Sequence, residues 1–402
     1  RSFFEKNNIQ LNVIRNKIFA LNTSTNLSKA RVNVLIKEVT RLRGKLDLMI
    51  THISGKRTNQ IDSSLLSILR IGFYEIIFDR KTPDYATVDS LVELTRNIYN
   101  KKAAGFTNAI LRNLIRSRLS KNEWDKVLQN QPGWYSIPIW LQRKWKSQYG
   151  NKQFKKLIEK VNKPPQTFLR IDVSNDKILS VQESLDRDGI KTTINQKNSL
   201  KVESSSGRIF NSVMFKSGKV SVQDPASSCV VKCLNVCLGE TVLDVCAAPG
   251  TKALQLANLV GNKGLILASD IDPDRVKMGI NDIKRHKKNN LKWSIKDASK
   301  DFYPKVNKIL VDAPCSGTGV ISKKPDIRWR RKSSDIKKFA SLQFDIINHC
   351  AQFLNSKGTM VYSTCSIEPE ENIDVVKKFL SIRKDFIMES VPSSIPSNWT
   401  DD

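Results

Sequence analysis

Two cysteines in this chain have neighbours that suggest covalent chemistry. Cys315 lies in a stretch that reads Asp-Ala-Pro-Cys-Ser-Gly-Thr-Gly, and Cys365 lies in one that reads Tyr-Ser-Thr-Cys-Ser. Each stretch follows a short apolar run, at 309–311 and at 360–362, that is typical of a buried strand. Because the carboxyl ends of parallel strands meet at one edge of a sheet, we expect both thiols to face one crevice.

A loop of small residues lies upstream of both cysteines. A predicted strand at 241–245 is followed by Cys-Ala-Ala-Pro-Gly-Thr-Lys at 246–252, and a helix is predicted from about Ala253. Such a loop lets a ligand approach the backbone closely, and the helix N-terminus offers free N–H groups to anionic atoms. The loop lacks the GxGxxG pattern, which argues against a nicotinamide cofactor.

Two acidic residues follow the next predicted strands. The strand at 264–269 is followed by Asp270, in a position suited to accept hydrogen bonds from a ribose diol. Asp270 would alternatively cap the next helix, although Asp272 can do that task. The strand at 291–295 is followed by Asp297, which either receives an adenine amino group or starts a turn.

The elements around these residues divide the chain into three regions. Apolar residues spaced by three and four predict an all-helical bundle over 1–160. The region 161–222 predicts a small α+β module, with a helix at 176–188, that acts as a spacer or as a further RNA-contacting platform. From 223 to 402 strands and helices alternate, which predicts a doubly wound, Rossmann-like α/β domain.

The charge of the chain indicates a polyanionic partner. The 402 residues include 67 Lys and Arg against 39 Asp and Glu, a formal net charge of +28. Residues 1–160 alone hold 30 basic and 12 acidic residues. Nucleic acid is the simplest partner for such a surplus, and a merely well-solvated surface is the alternative. No run of about 18 apolar residues occurs, so no membrane contact is predicted.

A second basic group follows Cys315 in the chain. It offers a positive field that would favour a Cys365 thiolate and bind RNA phosphates, unless it is simply a solvated run of charge. Trp329, within this group, either stacks on a base or packs in the interior. The basic residues are Lys323, Lys324, Arg328, Arg330 and Arg331.

The cysteine usage indicates a reducing compartment. Seven cysteines are an odd number, and no signal-like apolar stretch lies near Arg1, so we expect free thiols in the cytoplasm. Cys229, Cys233 and Cys237 have helical spacing. We interpret them as small, buried apolar side chains on one helix face, and we predict no metal site.

The helical region resembles the NusB-like RNA-binding domain. The resemblance is carried by Ser-Ile-Leu-Arg-Ile-Gly-Phe-Tyr-Glu-Ile at 67–76, Asp-Ser-Leu-Val-Glu-Leu at 89–94 and Ala-Gly-Phe-Thr-Asn-Ala-Ile-Leu-Arg at 104–112. It implies RNA binding, which the positive charge of this region also favours. A non-catalytic RNA-binding or antitermination protein is therefore one alternative function.

The remainder resembles the S-adenosylmethionine-dependent RNA 5-methylcytosine methyltransferases. The small-residue loop, the two acidic residues and the two cysteine segments occur in the order of that family. With a NusB-like front end, nearly the whole chain resembles the RsmB/Sun (Fmu) type, which modifies 16S ribosomal RNA. The resemblance implies methylation of a cytosine in ribosomal RNA, and we expect a monomer. The same chemistry on transfer RNA, another RNA or DNA is an alternative that the residues leave open.

The resemblance also implies roles for individual residues. Cys365 would be the nucleophile and Cys315 the thiol that assists release, although the residues alone leave these two roles open. Asp312 would contact either the cofactor or the amino edge of the target cytosine. The residues implied to border S-adenosylmethionine are Cys246, Ala247, Ala248, Pro249, Gly250, Thr251, Lys252, Asp270, Asp297 and Asp312.

The chemistry explains why a thiol is needed. Carbon 5 of cytosine is too weakly nucleophilic to take a methyl group directly, so a thiolate first adds to carbon 6 and makes the ring an enamine. An ordinary thiol with a pKa near 8.5 is only about 3 per cent ionised at pH 7. The base must leave its stack to react, so an unpaired RNA loop is the favoured substrate.

Two departures from the family pattern lead to further expectations. The loop commonly reads Gly-Gly-Lys-Thr, whereas 250–253 reads Gly-Thr-Lys-Ala. The β-branched Thr251 is expected to loosen the approach of the methionine part of the cofactor. The chain begins at Arg1 and stops at Asp402, before the final strand pair of the family. We therefore expect a fragment whose sheet has an uncovered edge.

Overall fold

In a computed structural model, the chain forms two compact units. The first unit comprises residues 1–165 and 318–333, and the second comprises 166–317 and 334–402. In the described part of the chain no helix is both long enough and apolar enough to cross a membrane. The residues that the structure describes are 9–21, 26–172, 177–196, 198–204, 206–393 and 395–396.

The first unit is built from helices, as the spacing of its apolar residues predicts. Asp62 caps one of them by accepting hydrogen bonds from two backbone N–H groups, and Leu69, Phe73 and Leu111 are fully buried in the core between them. The helices are α1 (Leu11–Leu21), α2 (Asn26–Arg41), α3 (Arg43–Ser54), α4 (Ser63–Tyr74), α5 (Asp84–Ile98), α6 (Lys101–Arg116), α7 (Lys121–Leu128) and α8 (Ile139–Val161).

The second unit begins with a small antiparallel sheet. Its strands are β1 (Thr167–Ile171), β2 (Thr192–Gln196), β3 (Ser199–Val202) and β4 (Val220–Val222), in the order β2-β3-β1-β4. The helices α9 (Ile178–Arg187) and α10 (Val213–Lys216) accompany it. The small α+β module is thus confirmed, while Asp176, the predicted start of its helix, lies outside the described residues.

A parallel sheet forms the rest of the second unit and confirms the doubly wound α/β prediction. Its strand order is β7-β6-β5-β8-β9, and every pair in this order is parallel. The strands are β5 (Thr241–Val245), β6 (Leu265–Asp270), β7 (Leu291–Ile295), β8 (Val306–Asp312) and β9 (Leu354–Ser363). The helices from here to the end of the chain are α11 (Pro225–Cys233), α12 (Thr251–Val260), α13 (Pro273–His286), α14 (Ile327–Arg330, in the first unit), α15 (Ser333–Cys350) and α16 (Ile373–Ile382).

The topology brings the chemically interesting loops to one edge of this sheet. The chain order reverses between β5 and β8, which is where a doubly wound sheet binds its ligands. Asp312 at the end of β8 pairs in register with Ser363 at the end of β9. The expectation that both cysteines leave the same edge is therefore confirmed. Within the described residues, β9 is the outermost strand on this side.

Candidate active site

The two cysteine thiols lie side by side. The Sγ atoms of Cys315 and Cys365 are 3.1 Å apart, although the residues are 50 positions apart in sequence. Neither forms a disulfide; Cys365 is exposed and Cys315 is half-buried. The side chain that a substrate meets first is therefore Cys365, with the Cys315 thiol immediately beside it.

The environment of Cys315 favours its protonated form. The hydrogen bond with Cys365 raises the pKa of the Cys315 thiol, and burial and the nearby Cys365 and Glu371 side chains raise it further. A protonated Cys315 can donate its S–H to the sulfur of Cys365, 3.1 Å away. Such a donor stabilises negative charge on the exposed sulfur, which is the charge that a nucleophilic thiolate carries.

Asp312 connects the small-residue loop to the ends of β8 and β9. Its Oδ2 lies 2.6 Å from Lys252 Nζ, and its Oδ1 accepts a hydrogen bond of 2.8 Å from Ser363 Oγ. The carboxylate remains partly exposed, with 34% of the side chain accessible. Asp312 therefore lies between the predicted cofactor loop and the thiols, a position compatible with either of the contacts predicted for it.

The small-residue loop has a backbone that depends on glycine. Gly250 has φ 106°, and a Cβ atom at this position would lie 2.8 Å from Trp293 Cζ2. Gly250 is therefore required both by its conformation and by the space it leaves. Burial raises the pKa of the neighbouring Cys246 thiol, which makes this cysteine a packing residue rather than a nucleophile.

Asp270 lies at the end of β6 with its side chain buried. Its Oδ2 accepts a hydrogen bond of 3.1 Å from the backbone N–H of Ala248, which fixes the small-residue loop against β6. Its Oδ1 accepts another of 3.1 Å from the N–H of Asp272, and Arg275 lies beside the carboxylate. Asp272, not Asp270, caps α13, as the sequence allowed.

Asp297 follows β7 and starts a turn. Its Oδ1 accepts hydrogen bonds from the backbone N–H of Ser299 at 3.0 Å and from Ser299 Oγ at 2.7 Å. These bonds hold the pKa of Asp297 below its ordinary value. Of the two roles predicted for this residue, the turn is the one the structure displays, and the contact with adenine stays a prediction.

Sequence reasoning missed Asp244, which lies inside β5 two residues before the loop. Its carboxylate is fully buried, and neither oxygen has a hydrogen-bond partner. Burial, together with the charges of Asp312 and Asp270, raises its pKa well above the ordinary value, against the opposing effect of Lys252. A buried carboxyl group of this kind is neutralised by a proton or paired with a cation. Its signal in the sequence is an acid inside an apolar strand.

The basic group after Cys315 is packed into the first unit, which corrects one predicted RNA contact. Arg328 is fully buried, and its guanidinium donates to the backbone carbonyls of Arg41, Ser136 and Val161 and to Asn162 Oδ1 at 2.7–3.0 Å. A guanidinium so engaged cannot bind a phosphate. Arg328 is therefore a structural residue, and the prediction that it binds RNA was wrong.

The other members of the basic group have different surroundings. Arg330 forms an ion pair with Asp326 at 3.0 Å, and the indole of Trp329 donates to the carbonyl of Thr40 at 2.8 Å. Trp329 thus takes the packed alternative. Lys324 is exposed, while Lys323 and Arg331 are half-buried. RNA contact by Lys323, Lys324, Arg330 and Arg331 stays a prediction.

The cysteines predicted to lie on one helix face do not all do so. Cys229 is buried on α11 and Cys233, at its end, is half-buried. Cys237 lies beyond the helix and is exposed, so the interpretation as three buried side chains was wrong for this residue. The helix ends too early for its period to reach Cys237.

Three family models match successive parts of the chain. Residues 5–116 match the NusB family, and residues 137–205 match the ferredoxin-like domain of RsmF/B-like methyltransferases. Residues 231–399 match the model described as 16S rRNA methyltransferase RsmB/F. The last match contains the small-residue loop, Asp312 and both cysteines of the thiol pair.

Individual proteins resemble the chain over most of its length. A ribosomal RNA small subunit methyltransferase B of Escherichia coli O7:K1 is 30% identical over 361 residues, 88% of this chain and 82% of that protein. A probable ribosomal RNA small subunit methyltransferase B of Bacillus subtilis is 28% identical and covers 95% and 86%. A solved structure titled PH0851 superposes with a TM-score of 0.75 at 26% identity and covers 92% and 84%.

Proposed function

Because the chain belongs to the ribosomal RNA small subunit methyltransferase B family, we propose that it methylates carbon 5 of a cytosine in 16S ribosomal RNA. The observation that carries the proposal is the thiol pair: an exposed Cys365 with its sulfur 3.1 Å from that of a half-buried Cys315. Thiol addition is the step that cytosine carbon 5 requires and that methylation of an oxygen or an amine does not.

We propose S-adenosylmethionine as the methyl donor. When bound, it supplies an electrophilic methyl group on a sulfonium sulfur. The residues proposed to hold it are the loop 246–252 with Asp270 and Asp297, and Asp244 provides a test of fit. The unpartnered Asp244 carboxylate needs a cation, and this cofactor carries two positive groups, an ammonium and the sulfonium.

The thiols would act in sequence on the base. The Cys365 thiolate adds to carbon 6 of cytosine, and the electron pair displaced from the ring makes carbon 5 nucleophilic. After methylation a base removes the carbon 5 proton, and the carbon 6–sulfur bond breaks with its electron pair returning to Cys365. The Cys315 sulfur lies 3.1 Å from that of Cys365, and donation of its S–H would stabilise the departing thiolate.

RNA binding would rest on the charge of the chain. The net charge of +28 favours a long polyanion, and Lys323, Lys324, Arg330 and Arg331 are proposed to contribute phosphate contacts. An extruded cytosine in an unpaired loop reaches an exposed thiol at the smallest energetic cost.

The test is transfer of a labelled methyl group from S-adenosylmethionine to ribosomal RNA isolated from cells that lack this gene. Methylation of a cytosine at carbon 5, mapped by mass spectrometry of nuclease fragments, is the expected result. Cys365→Ala should abolish transfer, because no adduct forms. Cys315→Ala should accumulate a protein–RNA adduct that survives denaturing electrophoresis, because release fails.

Cys237→Ala is the matched control, since Cys237 is an exposed cysteine outside the thiol pair. It should neither lose transfer nor trap RNA. Normal turnover by Cys315→Ala, or an adduct formed by Cys365→Ala, would contradict the assignment of the two thiols. Absence of any methyl incorporation into ribosomal RNA would contradict the proposed function itself.

A further inference from the structure

Glu371 is a fully buried carboxylate next to the thiol pair. It ends the short 3₁₀ turn Pro369–Glu371, which lies between β9 and α16. No sequence motif singled it out, and it touches neither sulfur by a hydrogen bond. Its surroundings nevertheless connect it to both cysteine loops.

Both oxygens of Glu371 accept hydrogen bonds from residues that directly follow the cysteines. Oε1 accepts from the backbone N–H of Ser316 at 2.7 Å, and Oε2 accepts from Ser366 Oγ at 2.5 Å and from Ser316 Oγ. Gln343 Nε2 on α15 donates to Oε1 at 3.1 Å and to the carbonyl of Pro314, the residue before Cys315, at 2.8 Å. We call Ser316, Gln343, Ser366 and Glu371 the Glu371 cluster.

The charge of Glu371 is held by these four donors alone among the described residues, with no Lys, Arg or His in an ion pair with it. Burying a carboxylate is expensive, and a well-packed apolar side chain generally stabilises a fold as well or better. Charge-assisted hydrogen bonds are, however, short and directional. A buried carboxylate that binds two separate loops therefore fixes their spacing, which an apolar residue cannot do.

The neighbouring Asn372 provides a comparison, because its side-chain hydrogen bonds reach the Cys365 loop and not the Cys315 loop. Its Oδ1 accepts from Thr364 Oγ1 at 2.6 Å, and its Nδ2 donates to the carbonyl of Ser366 at 3.1 Å. Both partners flank Cys365, so Asn372 shapes that loop and makes no hydrogen bond to the loop of Cys315. Glu371, by contrast, bonds to both loops at once.

We propose that Glu371 is a positioning residue that sets the spacing of the Cys315 and Cys365 thiols for adduct formation and release. The kinetic part of this proposal rests on the proposed methyltransferase function. The spacing part does not, because two thiols 3.1 Å apart can be detected without RNA or cofactor.

The first experiment measures the spacing directly with phenylarsine oxide. One molecule condenses with two thiols, forming two arsenic–sulfur bonds and one water, only if both sulfurs reach the same arsenic. We expect the folded protein to bind it at Cys315 and Cys365, as located by mass spectrometry, and Cys315→Ser to lose that binding. Glu371→Ala should bind at least about tenfold more weakly, the effect of roughly one lost hydrogen bond to a charged group. Unchanged capture by Glu371→Ala would overturn the proposal.

Glu371→Gln is the conservative variant. Its amide oxygen can accept from Ser316 N–H and from Gln343, and its amide N–H groups can donate to the two serine hydroxyls. It should capture phenylarsine oxide within about threefold of the wild type, a difference below one net hydrogen bond. If it failed as badly as Glu371→Ala, spacing by hydrogen bonds would be the wrong explanation. Should Glu371→Ala not fold, Ser366→Ala, which removes one donor to the carboxylate, must show a smaller loss in the same direction.

The second experiment is kinetic. Glu371→Ala should lower kcat by about tenfold or more while the KM for S-adenosylmethionine and for RNA stay within about threefold, since the Glu371 side chain is fully buried and offers no surface to either ligand. Glu371→Gln should restore most of kcat. Asp374→Ala, which removes an exposed carboxylate three residues further along the chain, should leave both constants unchanged. A rise in KM with unchanged kcat would overturn the positioning role. If wild-type protein captured phenylarsine oxide but methylated no RNA, the proposed function would fail while the spacing proposal stood.

Discussion

Two regions at the edge of the parallel sheet each contain a fully buried carboxyl group. We call the region around Cys315 and Cys365 the thiol side and the region around the small-residue loop the cofactor side. The two carboxyl groups differ in the number of hydrogen bonds that they accept. Glu371 on the thiol side accepts four hydrogen bonds. Asp244 on the cofactor side accepts none. The thiol side therefore has its hydrogen bonds in place before any ligand binds, whereas the cofactor side contains a buried carboxyl group that has no hydrogen-bond partner.

This difference agrees with the chemical role proposed for each side. A nucleophile and its neighbouring acid must be held in place at every stage of a covalent reaction, so their support belongs to the protein. A donor that enters and leaves in each cycle can instead supply part of its own site. An unpartnered buried carboxylate costs several kcal/mol in an apolar interior, and a bound cation would return much of that free energy as affinity.

Among the variants that test this difference between the two sides, Asp244→Asn is expected to have the largest effect. It removes the charge with little change of volume, so the KM and Kd for S-adenosylmethionine should rise about 10–100-fold, equivalent to about 1.4–2.8 kcal/mol. The unfolding midpoint of the ligand-free protein should not fall, since a buried carboxyl group without a hydrogen-bond partner has been replaced by a neutral amide of similar volume. Isothermal titration calorimetry and thermal unfolding measure the two effects. A variant that lost stability but kept cofactor affinity would show that Asp244 has a partner within the protein.

Gly250→Ala tests the geometry of the cofactor side. The added Cβ meets Trp293 Cζ2 at 2.8 Å in a conformation with φ 106°, so the loop must move. We expect about a tenfold loss of cofactor affinity, from about 1–2 kcal/mol of backbone strain. Gly239→Ala is the matched control, because Gly239 has φ 86° but no atom within 4 Å of its added Cβ. Equal losses in both variants would assign the effect to general strain rather than to the loop.

Elements with strong local signals could be predicted from the sequence. The β5 strand, the small-residue loop and the placement of both cysteines behind β8 and β9 follow from apolar runs that end at small or polar residues. The edge at which they meet follows from the parallel pairing. Boundaries were less accurate, because the ends of β6 and α9 depend on caps and on sheet register rather than on local pattern.

Residues whose role depends on tertiary contacts could not be predicted. Arg328 looks like any exposed cation in the sequence, and only the fold shows that four oxygens surround it. Glu371 lies in an acidic turn that gives no local signal, and Asp244 is an acid within an apolar strand. Hydrogen-bond partners far away in sequence decide the roles of Arg328 and Glu371, and burial without any partner decides that of Asp244. A pattern of sequence neighbours contains no information about either.

Asn372→Ala tests, within the thiol side, whether the shape of the Cys365 loop matters less than the spacing of the two cysteine loops. It releases the flanks of Cys365 while Glu371 continues to hold both loops. We therefore expect a loss of kcat of only about three- to fivefold, and capture of phenylarsine oxide within about threefold of the wild type. Steady-state kinetics beside Glu371→Ala measures the ranking. If Asn372→Ala were the more damaging variant, the shape of the Cys365 loop would matter more than the spacing of the two loops.

The smallest expected effect is a proton released when the cofactor binds. In the ligand-free protein the pKa of Asp244 is raised, so between its ordinary value and the raised one the folded protein holds a proton that the unfolded chain has lost. Stability from this group is therefore present at low pH and is lost as pH rises through that window.

A bound cation lowers the pKa of Asp244 again, so binding of the cofactor releases the proton. Cofactor affinity should therefore increase with pH across the same window. Calorimetry in buffers of different ionisation enthalpy should detect release of up to about one proton, and Asp244→Asn should abolish it. Proton uptake on binding, or equal release by the Asn variant, would show that the cofactor side is neutralised by another group.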